Sequence, residues 1–189
     1  MTAVSRRAFL SASGAAALLA GCDTALVGNG VGSQGAAQID ARVDATRDYL
    51  FGTYPGTRDL ANKALGILFM PLVTEVGFGF GGGYGRGALR INGSTVDYYS
   101  ATRASFGLQI GAQQYAHALF FMTDESLAGF RRASGWVAGA DIRYATPEQG
   151  GSIGKDTTEL EPVIGLIFGQ QGLIAGATVS GSKYSRIIP

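Results

Sequence analysis

The chain has 189 residues, a formal net charge of +1 and a single cysteine, Cys22. A charge this close to zero gives no electrostatic basis for binding nucleic acid. One cysteine excludes a disulfide within the chain and a thiolate metal cluster. The 30 glycines follow no collagen period and accompany many Ile, Val, Phe and Tyr residues, a composition that indicates a glycine-rich sheet.

The N-terminus has the features of an export signal. Arg6 and Arg7 precede an uncharged, largely apolar stretch over residues 8–21, which suits a signal peptide and is shorter than the roughly 20 residues of a membrane-spanning helix. Small residues lead directly to Cys22, which resembles the lipobox of bacterial lipoproteins, and the arginine pair resembles a twin-arginine signal. We therefore predict a signal peptide over residues 1–21, cleavage before Cys22 and lipid attachment to its sulfur. This would anchor the protein in a membrane of the cell envelope, facing the periplasm or the cell surface.

Residues 22–37 are rich in glycine and lack a periodic apolar face, so we predict a lipidated cysteine and a flexible tether, followed by one domain over residues 38–189. A helix over residues 38–51 carries an apolar stripe at helical spacing. Interfacial membrane helices favour Lys and Arg on their polar side. Because an acidic row lies beside the stripe, we expect this helix to pack on the domain. The stripe is Ile39, Val43, Thr46 and Leu50, and the acidic row is Asp40, Asp44 and Asp48.

A second short helix is expected after the Tyr-Pro-Gly turn, with Thr57 as its cap. From residue 65 onward the pattern changes to strands. The dipeptide Asn92-Gly93 predicts a type I′ hairpin turn, and Thr123 predicts the cap of a helix over residues 124–132. We interpret residues 145–161 as a loop. The predicted strands cover residues 66–70, 76–81, 89–91, 94–100, 104–112, 116–122, 136–145, 163–168 and 173–180.

These elements predict an α+β fold, with a mostly antiparallel curved β-sheet and two or three flanking helices. Six of the nine predicted strands contain glycine. Glycine weakens a strand unless it permits a bend, a bulge or a close backbone contact. The density of glycine therefore predicts sharp curvature, and hence a small barrel or a tightly coiled sandwich.

No motif points to catalysis, a metal or a cofactor. Residues 77–82 match G-x-G-x-x-G as a string, but the glycines that follow do not favour the helix that a dinucleotide site requires, so we interpret the segment as strand. His117 is the only histidine, which excludes a metal site built on histidines, and we expect it in the core or in the sheet. We interpret Asp156, Glu159 and Glu161 as solvated, because their spacing fits no calcium loop. We therefore predict a protein that is not an enzyme.

Six arginines are candidates for binding phosphate. A guanidinium group can bind a phosphate through two parallel hydrogen bonds, so convergence of several arginines would create a site for phospholipid headgroups. The alternative is solvated charge scattered over the sheet. The six candidates are Arg86, Arg90, Arg103, Arg131, Arg132 and Arg143.

Residues 65–187 resemble the SYLF domain family, which occurs in bacterial lipoproteins and in eukaryotic proteins that bind phosphoinositides and actin. The segments that carry the resemblance are 66–71, 77–82, 85–89, 104–113, 124–130, Trp136 with Gly139 and Asp141, and 172–176.

The resemblance implies a membrane-associated domain without catalytic activity. Lipid binding by eukaryotic members is attributed to a basic amphipathic N-terminal region, and this chain departs from them because residues 38–51 contain more Asp than Arg. The expectation is a lipid-anchored envelope protein whose domain binds phospholipid headgroups or the bilayer surface. The alternative is a structural or protein-interaction module that docks another envelope protein or the cell wall.

Overall fold

The computed structural model describes residues 34–139, 142–145, 147–148, 161–172 and 181–189. The predicted signal peptide and Cys22 lie outside these residues, as do Asp156 and Glu159. The helices are α1 (Gln34–Thr53), α2 (Thr57–Lys63) and α3 (Asp124–Arg132). The strands are β1 (Gly66–Ile91), β2 (Ser94–Phe121), β3 (Trp136–Val137), β4 (Ile142–Ala145), β5 (Val163–Gly172) and β6 (Lys183–Ile187).

A long antiparallel hairpin, β1 with β2, forms the centre of the fold. Its register runs from Gly66 opposite Phe121 to Ile91 opposite Ser94. The turn is formed by Asn92 and Gly93, whose φ angles of 51° and 78° confirm the predicted type I′ conformation.

The prediction of many short strands is wrong, because six of the predicted strands merge into β1 and β2. Pro71, which directly follows the predicted strand of residues 66–70, lies inside β1. Among the described strands β1 pairs only with β2, and proline is tolerated in an edge strand because no partner needs its missing N–H.

The second edge of β2 is shared by two strands. β6 pairs with residues 98–102 and β5 pairs with residues 113–121, both antiparallel to β2. β3 adds to β6, and β4 adds to β5 in a parallel pairing, which completes a six-stranded sheet. This confirms the predicted α+β class and the mostly antiparallel sheet. The single strand predicted over residues 136–145 is instead β3 and β4, at opposite ends of the strand order. β6 was not predicted, and residues 173–180 lie outside the described part.

Three glycines let β1 fold back on itself. A Cβ atom on Gly87 would overlap the carbonyl oxygen of Phe69, and one on Gly85 would lie 2.7 Å from the carbonyl oxygen of Leu72. Gly83 would bring a Cβ within 2.8 Å of the Glu75 side chain. The two halves of the strand therefore contact each other along a glycine stripe, Gly83, Gly85 and Gly87, which confirms the predicted close backbone contact. The sheet curves into a half-barrel.

Each face of the curved sheet has its own hydrophobic core. On the outer face, α1 and α2 place Val43 and Leu60 against Phe69 and Phe120. On the inner face, Phe130 of α3 packs in a cluster with residues from the strands. Side chains alternate between the faces along the regular parts of the strands, and the register shift between Met70 and Val73 places both of these residues on the inner face. The inner cluster includes Leu68, Tyr99, Leu119, Phe121 and Tyr184.

Of the two predicted helix caps, the structure confirms the one at α3 and contradicts the one at α2. The Thr123 hydroxyl accepts a hydrogen bond from the Ser126 N–H at 3.2 Å, which confirms the predicted cap of α3. Gly56 occupies the cap position of α2, and the Thr57 hydroxyl donates back to the Tyr54 carbonyl at 2.7 Å. The prediction that Thr57 caps α2 is therefore wrong.

Ser33–Pro189 form one compact unit that contains both cores. We therefore expect this part of the chain to fold without the residues that precede it. Among the helices that the structure describes, none combines the length and the apolar character needed to cross a bilayer.

Candidate functional site

Arg90 binds the acidic row of α1 and does not face solvent as a free cation. Its Nη2 lies 2.9 Å from an Asp44 carboxylate oxygen and 3.4 Å from one of Asp40. Asp40 also accepts hydrogen bonds from the hydroxyls of Thr95 (2.6 Å) and Tyr98 (2.7 Å). Burial, followed by the Asp40 hydrogen bond and charge, raises the pKa of Tyr98 to about 12. Asp40 and Asp44 thus hold α1 on the sheet, which confirms the prediction that this helix packs on the domain.

Beside Arg90, a cavity of about 270 Å³ lies between α1, α2 and β1. Arg47 and Arg90 both line this cavity, and two guanidinium groups at one cavity are a candidate site for a phosphate. Arg47, however, pairs with Asp44 at 3.3 Å and with Asp48 at 2.9 Å. The three carboxylates outnumber the two guanidinium groups, so a phosphate would be repelled.

Arg103 belongs to a polar cluster inside the fold. Its Nη1 lies 3.4 Å from Glu75, which also accepts hydrogen bonds from Gln113 (2.6 Å) and from the Tyr115 hydroxyl (2.8 Å). Gln113 and Tyr115 are buried. Burial is the largest cause that raises the pKa of Tyr115, and the Glu75 hydrogen bond adds to it. Glu75 and Arg103 come from opposite halves of the folded hairpin, so this pair ties the halves together.

Arg131 shares a carboxylate with Arg186, a residue that was not among the sequence candidates. Asp97 lies 3.1 Å from Arg131 and 3.3 Å from Arg186. Arg186 also donates to the carbonyl of Arg131 at 2.7 Å, which satisfies an acceptor in the last turn of α3. Arg86 and Arg132 are exposed, and the side chain of Arg143 lies outside the described residues. The candidates that the structure describes do not converge on one site, because Arg90, Arg103 and Arg131 pair with different acids.

His117 lies in the inner core, as predicted. It is 1% exposed, and its Nε2 lies 2.7 Å from the Tyr184 hydroxyl. Burial lowers the pKa of His117 to about 3, so the ring is neutral at physiological pH. The described residues contain no group of three or more His, Cys, Asp or Glu placed to hold a metal ion.

An open groove of about 280 Å³ crosses the outer face of the sheet beside α1. α1 forms one wall and β1 the other, and β2 and β5 complete the lining. The Tyr49 ring stacks on Phe168, with centroids 6.3 Å apart and planes inclined by 20°. The lining residues are Ala45, Thr46, Tyr49, Pro71, Leu72, Gln114, Tyr115, Ala116, Phe168, Gly169 and Gln171.

None of the residues that line this groove carries a formal charge. Two of its polar side chains already have partners within the protein. Gln114 donates to the Thr74 hydroxyl at 3.3 Å, and the Tyr115 hydroxyl donates to Glu75. The groove therefore offers mainly apolar contact to whatever occupies it.

Large apolar side chains beside the groove remain accessible to solvent. Tyr49 and Leu72, which line it, are 48% and 42% exposed, and Val76 is 57% exposed. Leu72 lines the groove on the outer face, and Val76, three residues after the inner-face residue Val73, lies on the same face. We call Tyr49, Leu72 and Val76 the outer apolar surface. Exposed apolar side chains that share one face are candidates for contact with membranes or proteins.

A protein-family model described as Ysc84, Las17-binding protein actin regulator, matches residues 102–186. This part of the chain is a SYLF domain. The match confirms the resemblance over most of β2, α3, β3 to β5 and most of β6. No curated protein matches the chain significantly.

SYLF domains are binding domains, so this protein contains an interaction module. The match includes one side of the groove, at Gln114, Ala116 and Phe168, whereas α1 and β1 lie before the matched residues. The groove is thus built jointly by the SYLF domain and by the segments that precede it.

Sequence reasoning missed this groove because Tyr49, Leu72 and Phe168 come together only in the folded sheet. The alternating pattern of β1 was the available signal. It was used for residues 76–81 only, and its extension back to residue 72 would have placed Leu72, Thr74 and Val76 on one face.

Proposed function

We propose that the folded domain, which consists of the SYLF domain and the α1 and β1 segments that precede it, is a non-enzymatic module that binds the bilayer surface, in an envelope protein held to a membrane by lipid on Cys22. The observation that carries the proposal is the outer apolar surface, where Leu72 and Val76 remain exposed beside an uncharged groove. Transfer of such side chains from water into the apolar part of a bilayer is favourable at about 25 cal/mol per Å² of apolar surface.

The pairing of the arginines supports apolar contact rather than headgroup recognition as the main source of affinity. Arg90, Arg103 and Arg131 each have a carboxylate within 3.4 Å. A phosphate would have to compete with these carboxylates, and binding through exposed charge is screened by salt. The outer apolar surface has no such competitor.

The predicted anchor makes a weak surface affinity sufficient. Acyl chains on Cys22 would keep the domain beside one bilayer, and a flexible tether then gives an effective concentration in the millimolar range. Contacts by Tyr49, Leu72 and Val76 therefore orient the domain on the membrane even if their dissociation constant is only in the millimolar range.

Co-sedimentation with lipid vesicles tests the binding half of the proposal. The unacylated polypeptide of residues 23–189 is mixed with vesicles of phosphatidylethanolamine and phosphatidylglycerol. Burying about half of each side chain contributes roughly 1 kcal/mol per residue, so Leu72→Ser/Val76→Ser should weaken binding about 30-fold. The matched control is Val96→Ser/Val137→Ser, whose residues are 40% and 54% exposed, close to the 42% and 57% of the test pair.

The two double variants distinguish the outer apolar surface from other exposed apolar residues. Loss of binding in the Leu72/Val76 variant, with the Val96/Val137 variant unchanged, supports the outer apolar surface as the contact. Equal binding by both variants would place the contact elsewhere, and absence of binding by the parent polypeptide would remove the bilayer function.

The anchor is tested on the full chain in a bacterial host. Cys22→Ser should abolish incorporation of labelled palmitate and move the protein from the membrane fraction to the soluble fraction. Replacement of the preceding Gly21 by Ala retains a small residue at the cleavage site and should leave both readouts unchanged. Unaltered fractionation of Cys22→Ser would contradict the anchor.

A second candidate function is docking of another envelope protein or the cell wall. The observation that favours it is the description of the matching family, which names a protein-binding activity. The outer apolar surface would then contact a protein. Recovery of a defined partner from envelope extracts, lost in Leu72→Ser/Val76→Ser and combined with absence of vesicle binding, would favour this function.

A further inference from the structure

We infer that α3 forms the contact of a symmetric dimer, in which it packs antiparallel against α3 of a second copy of this chain. Leu127 and Phe130 hold the helix on the inner core. Glu125, Ala128 and Arg132 follow at i, i+3 and i+7, so they share the opposite side of the helix. The inference does not depend on the bilayer function, because α3 lies on the inner face of the sheet and the outer apolar surface lies on the outer face.

The two charged residues on this side of α3 have no ionic partner within the described part of the chain. Glu125 and Arg132 are both exposed. They are about 10.5 Å apart along the helix axis, which is too far for them to pair with each other. In an antiparallel arrangement, Glu125 of each copy lies opposite the partner's Arg132. One symmetric contact therefore pairs all four charges.

Two small residues lie at the point about which this pairing is symmetric. The midpoint between residues 125 and 132 falls between Ala128 and Gly129. A Cβ atom on Gly129 would have no other part of the described structure within 4 Å, so the helix is open at this point. Packed helices lie about 8–10 Å apart, and the side chains at the contact set the distance. Ala128 and Gly129 therefore allow the close approach that brings both ion pairs into reach.

The match between the two ends of α3 selects a second copy as the occupant. The helix dipole by itself favours acids in the first turn and bases in the last turn. It does not require the small residues at their midpoint, whereas a two-fold axis through that point does. The same patch then contacts itself, and the exposed ion pairs fix its orientation more than they add affinity.

The dimer should be weak in solution. Nine residues of helix are only about 13 Å long, so the contact is smaller than the roughly 800 Å² per partner of a stable interface. Two copies held on one bilayer by their predicted lipid anchors would have a higher effective concentration, which favours the pair. A covalent trap is therefore the suitable assay for the isolated polypeptide.

Disulfide trapping of residues 23–189 tests the inference, because this polypeptide contains no cysteine. In the dimer the two copies of residue 128 are offset by only about 1.5 Å along the axis, whereas those of residue 124 are offset by about 13.5 Å. A disulfide requires Cα atoms about 4.4–6.8 Å apart, so Ala128→Cys should be trapped by copper phenanthroline at least about tenfold faster than Asp124→Cys. Asp124→Cys is the matched control, because Asp124 is exposed on the same helix.

Charge reversal tests the antiparallel pairing. In the Ala128→Cys polypeptide, Arg132→Glu places like charges opposite each other and should slow trapping at least about fivefold. Adding Glu125→Arg makes both pairs complementary again and should restore the rate, which also shows that the helix is intact. Equal trapping of Ala128→Cys and Asp124→Cys would overturn the dimer. Trapping that Arg132→Glu does not slow, or that the second reversal does not restore, would overturn the pairing through α3.

Discussion

The neutral state of His117 makes the stability of the fold depend on pH. The ring lies in the inner core beside Tyr184, and its Nδ1 has no hydrogen-bond partner among the described residues. Burial penalises the charged imidazolium, which lowers the pKa from 6.5 to about 3. The unfolded chain takes up a proton as the pH falls below about 6.5, whereas the native state does so only near pH 3. Between these values, acid therefore favours the unfolded state.

Replacement of His117 should remove this part of the pH dependence. From pH 7 to pH 5, the residue should lower the free energy of unfolding of the parent by about 2 kcal/mol. His117→Gln stays neutral and should lack this decrease, although its stability at pH 7 is lower. Urea unfolding of both proteins at pH 7, 6 and 5 measures the two slopes. Parallel slopes would show that His117 does not titrate as its burial requires.

Asp40 is the residue on which the docking of α1 depends most. It accepts from Thr95, Tyr98 and Arg90, so Asp40→Ala should destabilise the fold by about 2 kcal/mol by leaving partly buried donors without an acceptor. Asp48→Ala is the control on the same helix, because the Asp48 side chain is 69% exposed and pairs with Arg47. Its effect should be below about 0.5 kcal/mol. Similar urea midpoints for the two variants would contradict the role of Asp40.

At the level of elements, the glycine stripe of β1 decides how sharply the sheet curves. Gly87→Ala would drive a methyl group into the Phe69 carbonyl, and the backbone cannot move aside as a flexible side chain can. We expect a loss of about 3 kcal/mol or more in the free energy of unfolding.

The same strand provides a control for the stripe. A Cβ on Gly82 would lie 3.6 Å from the nearest atom, the Arg103 carbonyl oxygen, which is an ordinary contact. Gly82→Ala should therefore change the unfolding free energy by less than about 1 kcal/mol, because only the intrinsic preferences of the two residues differ. Equal destabilisation by both substitutions would show that β1 does not depend on the close contact at Gly87.

These elements show what local sequence can determine. The turn at Asn92-Gly93 and the cap at Thr123 were predictable because each depends on residues adjacent in the chain. The continuity of β1 could not be predicted in this way. A proline interrupts a strand only where a neighbouring strand needs the N–H that proline lacks, and the sequence does not show which strand lies beside Pro71. The curvature followed from the abundance of glycine, whereas the contact of Gly87 with Phe69 required the fold.

The candidate site was less predictable than the fold. The arginines were visible in the sequence, but their partners were not, since Arg90 and Asp44 are 46 residues apart. The groove requires α1, β1 and β5 to meet. Val76 lay in the predicted strand of residues 76–81, whereas Leu72 lay in no predicted element, so the sequence alone did not bring the two residues together.

At the scale of the whole molecule, the charge balance predicts how membrane binding responds to salt. The full chain has a net charge of +1, and loss of Arg6 and Arg7 with the predicted signal peptide takes it to −1. The best-placed arginines are already paired with carboxylates. Long-range attraction to anionic lipid is therefore small, and apolar contact, which salt does not screen, remains.

Binding of residues 23–189 to anionic vesicles should accordingly change less than threefold between 50 and 500 mM NaCl. The polypeptide should bind zwitterionic vesicles with similar affinity, because the proposed contact is with the apolar part of the bilayer. Headgroup recognition by converging arginines predicts the opposite, since each phosphate contact adds to the salt dependence and salt shortens the Debye length from about 10 Å at 0.1 M to about 3 Å at 1 M. A fall of tenfold or more, confined to anionic vesicles and reduced by Arg132→Gln, would assign the binding to exposed charge instead of to Leu72 and Val76.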